Sequence, residues 1–150
     1  MIEKIKEIFE SNKNKRICVI GTTCTGKSFL IDYLGMGLDM DDEIFPLLTD
    51  EENAYVCQTP WTKEIGAKMD ELVRTRLEIT PGNPMFGTVL IDCDLIVYLH
   101  ISDDLLQERC LLRDVDFVNA KKMQSNIEEE INNSNIECIR VEVENFIKTK

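Results

Sequence analysis

Hydrophobic positions along this chain follow two patterns, one helical and one extended. At the start, Ile2, Ile5 and Ile8 recur at helical spacing between lysines and glutamates, which predicts an amphipathic helix over residues 1–11. Residues 17–20 are a continuous apolar run rich in β-branched side chains. Such a run is typical of a strand that a parallel sheet buries on both faces.

The same patterns predict the elements that follow. Further helices are expected over residues 28–34, 59–76, 102–112 and 119–132, with a short helix and loop in the acidic segment 40–53. Further strands are expected at residues 36–39, 54–57, 95–99 and 136–143, the last at the sheet edge and followed by a helical turn. Residues 81–87, rich in proline and glycine, are expected to form a loop, and residues 88–91 an extended approach to the next strand.

This alternation of strands and helices predicts an α/β fold. Helices that connect parallel strands cover both faces of the sheet, which gives a three-layer sandwich around five strands. The length of 150 residues is that of one domain, so we expect residues 1–150 to form a single unit.

A phosphate-binding motif lies between the first buried strand and the helix after it. Residues 21–28 read Gly-Thr-Thr-Cys-Thr-Gly-Lys-Ser and match GxxxxGK[ST]. In this motif, backbone N–H groups and the lysine hold phosphates while the serine hydroxyl ligates Mg²⁺. We therefore expect ATP and Mg²⁺ as cofactors. The expected nucleotide contacts are Gly21, Thr22, Thr23, Cys24, Thr25, Gly26, Lys27, Ser28 and Phe29, with Ser28 also on the metal.

Composition excludes several other classes of function. Asp and Glu outnumber Lys and Arg by 28 to 17, so nucleic acid and anionic membranes are not expected partners. Six cysteines occur singly along the chain, and the sequence has only one histidine, a composition that does not favour a zinc site. Unpaired cysteines also fit thiols kept reduced in the cytoplasm. The longest apolar stretch, residues 88–101, is interrupted by Asp92 and Asp94 and is too short to span a bilayer.

The class of phosphate-loop protein follows from what accompanies the loop. The chain has no NKxD motif after the loop, which disfavours a GTPase, and it is too short for motor or AAA-type ATPases. A compact kinase that phosphorylates a small acceptor remains.

Three segments carry a family resemblance. They are the phosphate loop, residues 38–44 (Leu-Asp-Met-Asp-Asp-Glu-Ile), and residues 95–99 (Leu-Ile-Val-Tyr-Leu) followed by Leu106, Arg109 and Arg113. In this order the chain resembles the shikimate kinase and nucleoside or nucleotide kinase group. The second segment looks like the family's DxD at the end of strand two, and the third like its approach to the lid.

The resemblance implies a strand order of 2-3-1-4-5 and roles for four side chains. Asp39 lies close to the metal, and Asp41 faces the acceptor hydroxyl, which it orients or deprotonates. Arg109 and Arg113, in a short lid of about residues 109–120, bracket the adenine or clamp phosphates. The alternatives are a solvated acidic turn for the aspartates and surface ion pairs for the arginines.

Acceptor binding is expected beyond the carboxyl ends of the strands. Gln58 and Thr59 directly follow the expected strand at residues 54–57, so they are candidates for acceptor recognition, together with Asp39 and Asp41. Arg74 either holds a substrate anion or interacts with the dipole of its own helix.

Two functions from different classes are therefore open. The first is a small-molecule kinase, monomeric or homodimeric, of the shikimate or nucleoside kinase type. The second is a regulatory nucleotide switch with slow or no hydrolysis, whose amphipathic N-terminal helix docks a protein partner.

Overall fold

Five parallel strands form the central sheet. They are Ile17–Ile20 (β1), Leu38–Asp39 (β2), Met85–Gly87 (β3), Leu95–His100 (β4) and Glu137–Glu142 (β5). Their spatial order is β2-β3-β1-β4-β5, and every pairing is parallel. The α/β class, the parallel sheet and the order 2-3-1-4-5 are thus confirmed. The computed structural model describes residues 1–144, so the helical turn expected after the last strand lies outside the described residues.

The described residues contain seven α-helices. They are Ile2–Ser11 (α1), Lys27–Leu34 (α2), Met40–Ile44 (α3), Asp50–Val56 (α4), Lys63–Arg76 (α5), Asp103–Arg113 (α6) and Phe117–Ser134 (α7). A short 3-10 turn, Phe45–Leu47, follows α3. The expected lid, residues 109–120, spans the end of α6, a turn at Asp114 and the start of α7.

Helices cover both faces of the sheet, as β4 illustrates. Leu95, Val97 and Leu99 of β4 pack in one hydrophobic cluster with residues of α1, α2 and α6. Ile96 and Tyr98, which point to the other face, pack with residues of α3, α4, α5 and α7. Both faces of β4 are buried, which accounts for the unbroken apolar run in its sequence.

The assignment of the third strand from sequence is wrong. Residues 54–57, predicted as that strand, lie at the end of α4. Thr49 and Glu52 form a reciprocal capping box that starts this helix, with Thr49 Oγ1 accepting from Glu52 N–H at 3.2 Å. The third strand is Met85–Gly87, inside the segment predicted as a loop.

Other boundaries shift by a few residues. The helix expected from residue 59 begins at Lys63, where Thr62 Oγ1 caps it by accepting from Ile65 N–H at 3.2 Å. The second strand covers only two of the four residues expected. Among the helices described, none has the length and apolar character needed to cross a membrane.

Candidate active site

The phosphate loop begins at the carboxyl end of β1 and ends where α2 begins. Gly21 N–H donates to the carbonyl of Gly87 over 3.2 Å, so the loop starts beside the end of β3. Gly26, directly before α2, has a φ of +90°, a left-handed conformation that glycine adopts without steric cost. The first turn of α2 offers N–H groups that have no partner within the helix, and such groups bind phosphate.

Two buried threonines fix the shape of the loop from within. Thr22 Oγ1 donates to the carbonyl of Ala120 at 2.6 Å, and Thr25 Oγ1 donates to the carbonyl of Thr22 at 3.0 Å. Both residues are fully buried. Their hydroxyls are therefore engaged with the protein, and these hydrogen bonds tie the loop to α7 and to itself.

Lys27 places its ammonium group against the inside of the loop. Its Nζ donates to the carbonyls of Gly21 and Thr22 at 2.9 and 2.7 Å, and to Thr25 Oγ1 at 3.0 Å. Burial lowers the pKa of Lys27 to about 8, and the attraction of Asp39 opposes that shift only in part. A desolvated ammonium gains strongly from a neighbouring phosphate anion.

A cavity of about 810 Å³ opens over the loop. This volume lies in the range of ordinary ligand sites. Apart from Gly21 and Thr22, which lie at the base of the loop, every residue predicted to contact the nucleotide lines this cavity. Those lining residues are Thr23, Cys24, Thr25, Gly26, Lys27, Ser28 and Phe29.

Asp39 and Asp41 line the same cavity. Asp39, the last residue of β2, caps α3 because its Oδ1 accepts from Asp41 N–H at 2.9 Å. Although Asp41 as a residue is exposed, lost solvation of its carboxyl group raises its pKa, and repulsion from Asp39 adds to the shift. The turn thus brings two carboxylates into the cavity that Lys27 also lines.

The two predicted lid arginines lie in different environments. Arg113, at the end of α6, is exposed and lines the cavity, and its charge contributes to the lowered pKa of Lys27. Arg109, one turn earlier, is buried beneath the loop. Its Nη1 donates to the carbonyl of Cys24 and its Nη2 to that of Glu144, each at 3.2 Å. Arg109 therefore supports the loop from below.

Cys24 shows why that support matters. Its φ of +69° is unusual for a residue with a side chain and costs conformational energy. The hydrogen bond from Arg109 holds the Cys24 carbonyl in place at this position. Arg109 does not line the cavity, so its predicted contact with adenine or phosphate stays a prediction.

Three predicted acceptor residues lie outside the main cavity. Gln58 and Thr59 are exposed between α4 and α5, because the segment before them is a helix and does not end at the sheet edge. Arg74, on α5, donates from Nη2 to Glu130 Oε1 at 2.9 Å. It lines a neighbouring cavity of about 260 Å³.

Helix α5 supplies a cavity residue that the sequence analysis missed. Asp70 is half-buried and lines the main cavity together with Gly66, Met69 and Val73 of the same helix. Lost solvation raises the pKa of Asp70, opposed by attraction to Arg74 and reinforced by repulsion from Glu130. A signal was present: position 70 falls within the helical stripe of positions 66, 69 and 73, where an acidic residue interrupts small and apolar ones.

The residues near the loop fit a magnesium ion that takes some of its ligands from the protein and the others from a bound nucleotide. Ser28 offers a hydroxyl and Asp39 a carboxylate, the oxygen donors that Mg²⁺ prefers, and both line the cavity. Within residues 1–144, no group of three or more His, Cys, Asp or Glu side chains is placed to hold a metal ion.

A scan against models of protein families gives no match for this chain, and a search of curated proteins gives none either. The sheet order and the position of the loop after β1 are consistent with the topology of P-loop NTPases.

Proposed function

We propose that this protein transfers the γ-phosphoryl group of Mg-ATP to a hydroxyl group of a small molecule. The observation that supports this most directly is the composition of one cavity. It joins the phosphate loop and Lys27 to Asp39, Asp41 and Arg113, which come from three other elements. Phosphoryl transfer asks a protein mainly for positioning and charge stabilisation, and these groups supply both.

In this proposal the loop holds the phosphate donor. Backbone N–H groups at the start of α2 bind phosphate oxygens, and Lys27 exchanges its hydrogen bonds within the loop for bonds to the β and γ phosphates. Ser28 and Asp39 hold the magnesium ion, which when bound neutralises part of the phosphate charge. Arg113 adds positive charge from the end of α6.

Asp41 handles the acceptor. Its carboxylate accepts the proton of the acceptor hydroxyl as the acceptor oxygen bonds to the γ-phosphorus. The bond from that phosphorus to the bridging oxygen breaks, and ADP leaves with the electron pair. A raised pKa makes Asp41 a better proton acceptor than an ordinary aspartate.

The burial of α1 favours a phosphotransferase over a regulatory switch. A switch would need a surface for its partner, and the amphipathic α1 was the feature that suggested one. Ile5, Ile8 and Phe9 of α1 are buried in the protein's own core. The apolar face of this helix is therefore already occupied.

The test has two parts, nucleotide binding and acceptor turnover. Mg-ATP at about 100 times its Kd should raise the melting temperature by roughly 5–10 °C, whereas Lys27→Met should abolish this shift. An acceptor that stimulates ADP formation should lose that effect in Asp41→Asn, which still binds Mg-ATP. Asp104→Asn, an exposed carboxylate of α6 outside the cavity, is the matched control. An unchanged melting temperature in the wild-type protein would refute the proposal.

A further inference from the structure

The side of the cavity that α5 contributes differs in charge from the side that binds phosphate. Among residues 1–144, the cationic residues that line the cavity are Lys27 and Arg113, which belong to the phosphate loop and to the end of α6. On α5, the charged residue of the lining is Asp70. An acceptor that lies along α5 therefore meets negative charge.

The arginines of α5 are engaged elsewhere. Arg74 pairs with Glu130 of α7, and Arg76 pairs with Glu52 of α4, with 2.6 Å between Arg76 Nη2 and Glu52 Oε2. Lys122 lines the small cavity next to Arg74, outside the main one. Within residues 1–144, no lysine or arginine of α5 lines the main cavity, and Arg74, which attracts Asp70 from the smaller cavity that the two residues share, is held by Glu130.

Asp70 is suited to a cation. Within residues 1–144, no side chain forms a hydrogen bond or an ion pair with its carboxylate, although Arg74 attracts it from a longer distance. The carboxyl group is partly desolvated, which destabilises its charged form. A bound ammonium group would compensate for that lost solvation.

Trp61 adds an aromatic surface at the same place. It precedes α5, lines the cavity and is largely exposed. A Cβ atom on Gly66 would lie 3.2 Å from Trp61 Nε1, so the absence of a side chain at Gly66 lets the indole rest against α5. Tryptophan is the aromatic residue that attracts cations most strongly.

We infer that the acceptor carries a positively charged amine near the hydroxyl that is phosphorylated, and that Asp70 and Trp61 bind this amine. The inference rests on the proposed phosphotransfer and names the chemical class of its acceptor. The hydroxyl of such an amino alcohol faces Asp41 and Lys27, while its ammonium group lies against α5. Bound Mg-ATP adds further negative charge to the cavity, which again favours a cationic acceptor over an anionic one.

Acceptors matched in size and different in charge provide the test. Ethanolamine, ethylene glycol and glycolate form one set, and glucosamine, glucose and glucuronate a second. At a pH where the amines are protonated, ADP formation should show a kcat/KM for the amines at least about tenfold above that for the neutral compounds, with the anions lowest. Preference for the anions would overturn the inference and point instead to Arg74 and Lys122.

A binding measurement separates this inference from the proposed function. Trp61 is the only tryptophan, so its fluorescence reports directly on the α5 side of the cavity. With Mg-ADP present, ethanolamine or glucosamine should change this fluorescence saturably, and Asp70→Asn should raise the Kd roughly 10- to 100-fold. Asp104→Asn should behave as the wild-type protein does.

If Asp70→Asn binds the amines as well as the wild-type protein, or if no amine changes the Trp61 fluorescence, the inference is wrong. An Mg-ATP-induced rise in melting temperature that persists in Asp70→Asn shows that the variant is folded and that nucleotide binding is intact. If that variant does not fold, the comparison of amines with neutral compounds on the wild-type protein decides. Absence of any Mg-ATP effect would count against the proposed function itself.

Discussion

At the scale of single residues, the charge state of Lys27 sets the conditions under which the loop binds phosphate. Its pKa is lowered from 10.5 to about 8 in the folded chain, chiefly by burial. Between these two values the unfolded chain holds a proton that the folded chain has released. Stability therefore rises with pH across this window, because the penalty for a buried ammonium disappears.

Binding of Mg-ATP should show the opposite trend. Phosphate binds the protonated lysine, so above pH about 8 each bound nucleotide must also recruit a proton. The Kd for Mg-ATP should then rise by up to about tenfold for each pH unit. Isothermal titration across this range measures the effect. Lys27→Arg, which stays charged, should give a flat profile whatever its absolute affinity, and an equally steep profile in that variant would contradict the assignment.

At the scale of elements, the helices, strands and loops that could be predicted from the sequence are those marked by a pattern within the segment itself. The loop at residues 21–28 was found because its chemistry depends on contiguous spacing, and β1 and β4 because full burial makes an unbroken apolar run. The third strand was not predicted because it has only three residues, ends in Gly87 and directly follows Pro84. A short segment between proline and glycine is typical of a loop. The capping box of Thr49 and Glu52 was the local signal that would have identified α4 as a helix.

The residues of the candidate site also differ in whether a local sequence signal identifies them. Residues of the loop and the first turn of α3 follow directly after strands, where parallel sheets gather ligand-binding groups. Asp70 does not, because it reaches the cavity from the middle of α5 through the packing of that helix on the sheet. That packing depends on contacts between distant parts of the chain. Gln58 and Thr59 likewise lie away from the sheet edge, because the segment before them is α4 and not a strand.

Gly87 offers a prediction about how two elements meet. It ends β3 directly beneath α3, where an added Cβ would overlap Met40 Sδ and lie 2.7 Å from Met40 Cγ and 3.0 Å from Met40 Cβ. Met40 is buried, so moving its tip does not relieve the clash. Gly87→Ala should lower the free energy of unfolding by about 1–3 kcal/mol, measured by urea denaturation.

Two further variants isolate the cause of that loss. Met40→Ala combined with Gly87→Ala should be less destabilising than the sum of the two single changes, because shortening Met40 removes atoms that clash with the new Cβ, and that Cβ fills part of the space left by Met40. Gly66→Ala is the matched control, since its Cβ would meet an exposed indole and alanine favours the helix. Additivity of the pair would show that the Met40 contact is not the reason.

At the scale of the whole molecule, the carboxyl ends of β1, β2 and β3 meet at one edge, and the cavity forms where α3, α5 and α6 converge on them. The three strands that form this edge lie within residues 17–87, about half of the chain. Both core clusters are needed to hold it, because one lies on each face of the sheet. Nucleotide binding should therefore depend on elements that never approach the cavity.

Helix α1 gives the sharpest case. Ile5 is fully buried and packs in the cluster that also holds Val19 of β1 and Leu30 of α2. Ile5→Ala should cost about 2–5 kcal/mol, a large share of the roughly 5–15 kcal/mol that stabilises a typical domain. Thermal denaturation should show a lower melting temperature with and without Mg-ATP. Lys6→Ala, an exposed position on the same helix, should leave it within error. A helix whose apolar face binds a protein partner would instead tolerate Ile5→Ala. An unchanged melting temperature would therefore favour the regulatory switch and count against the kinase proposal.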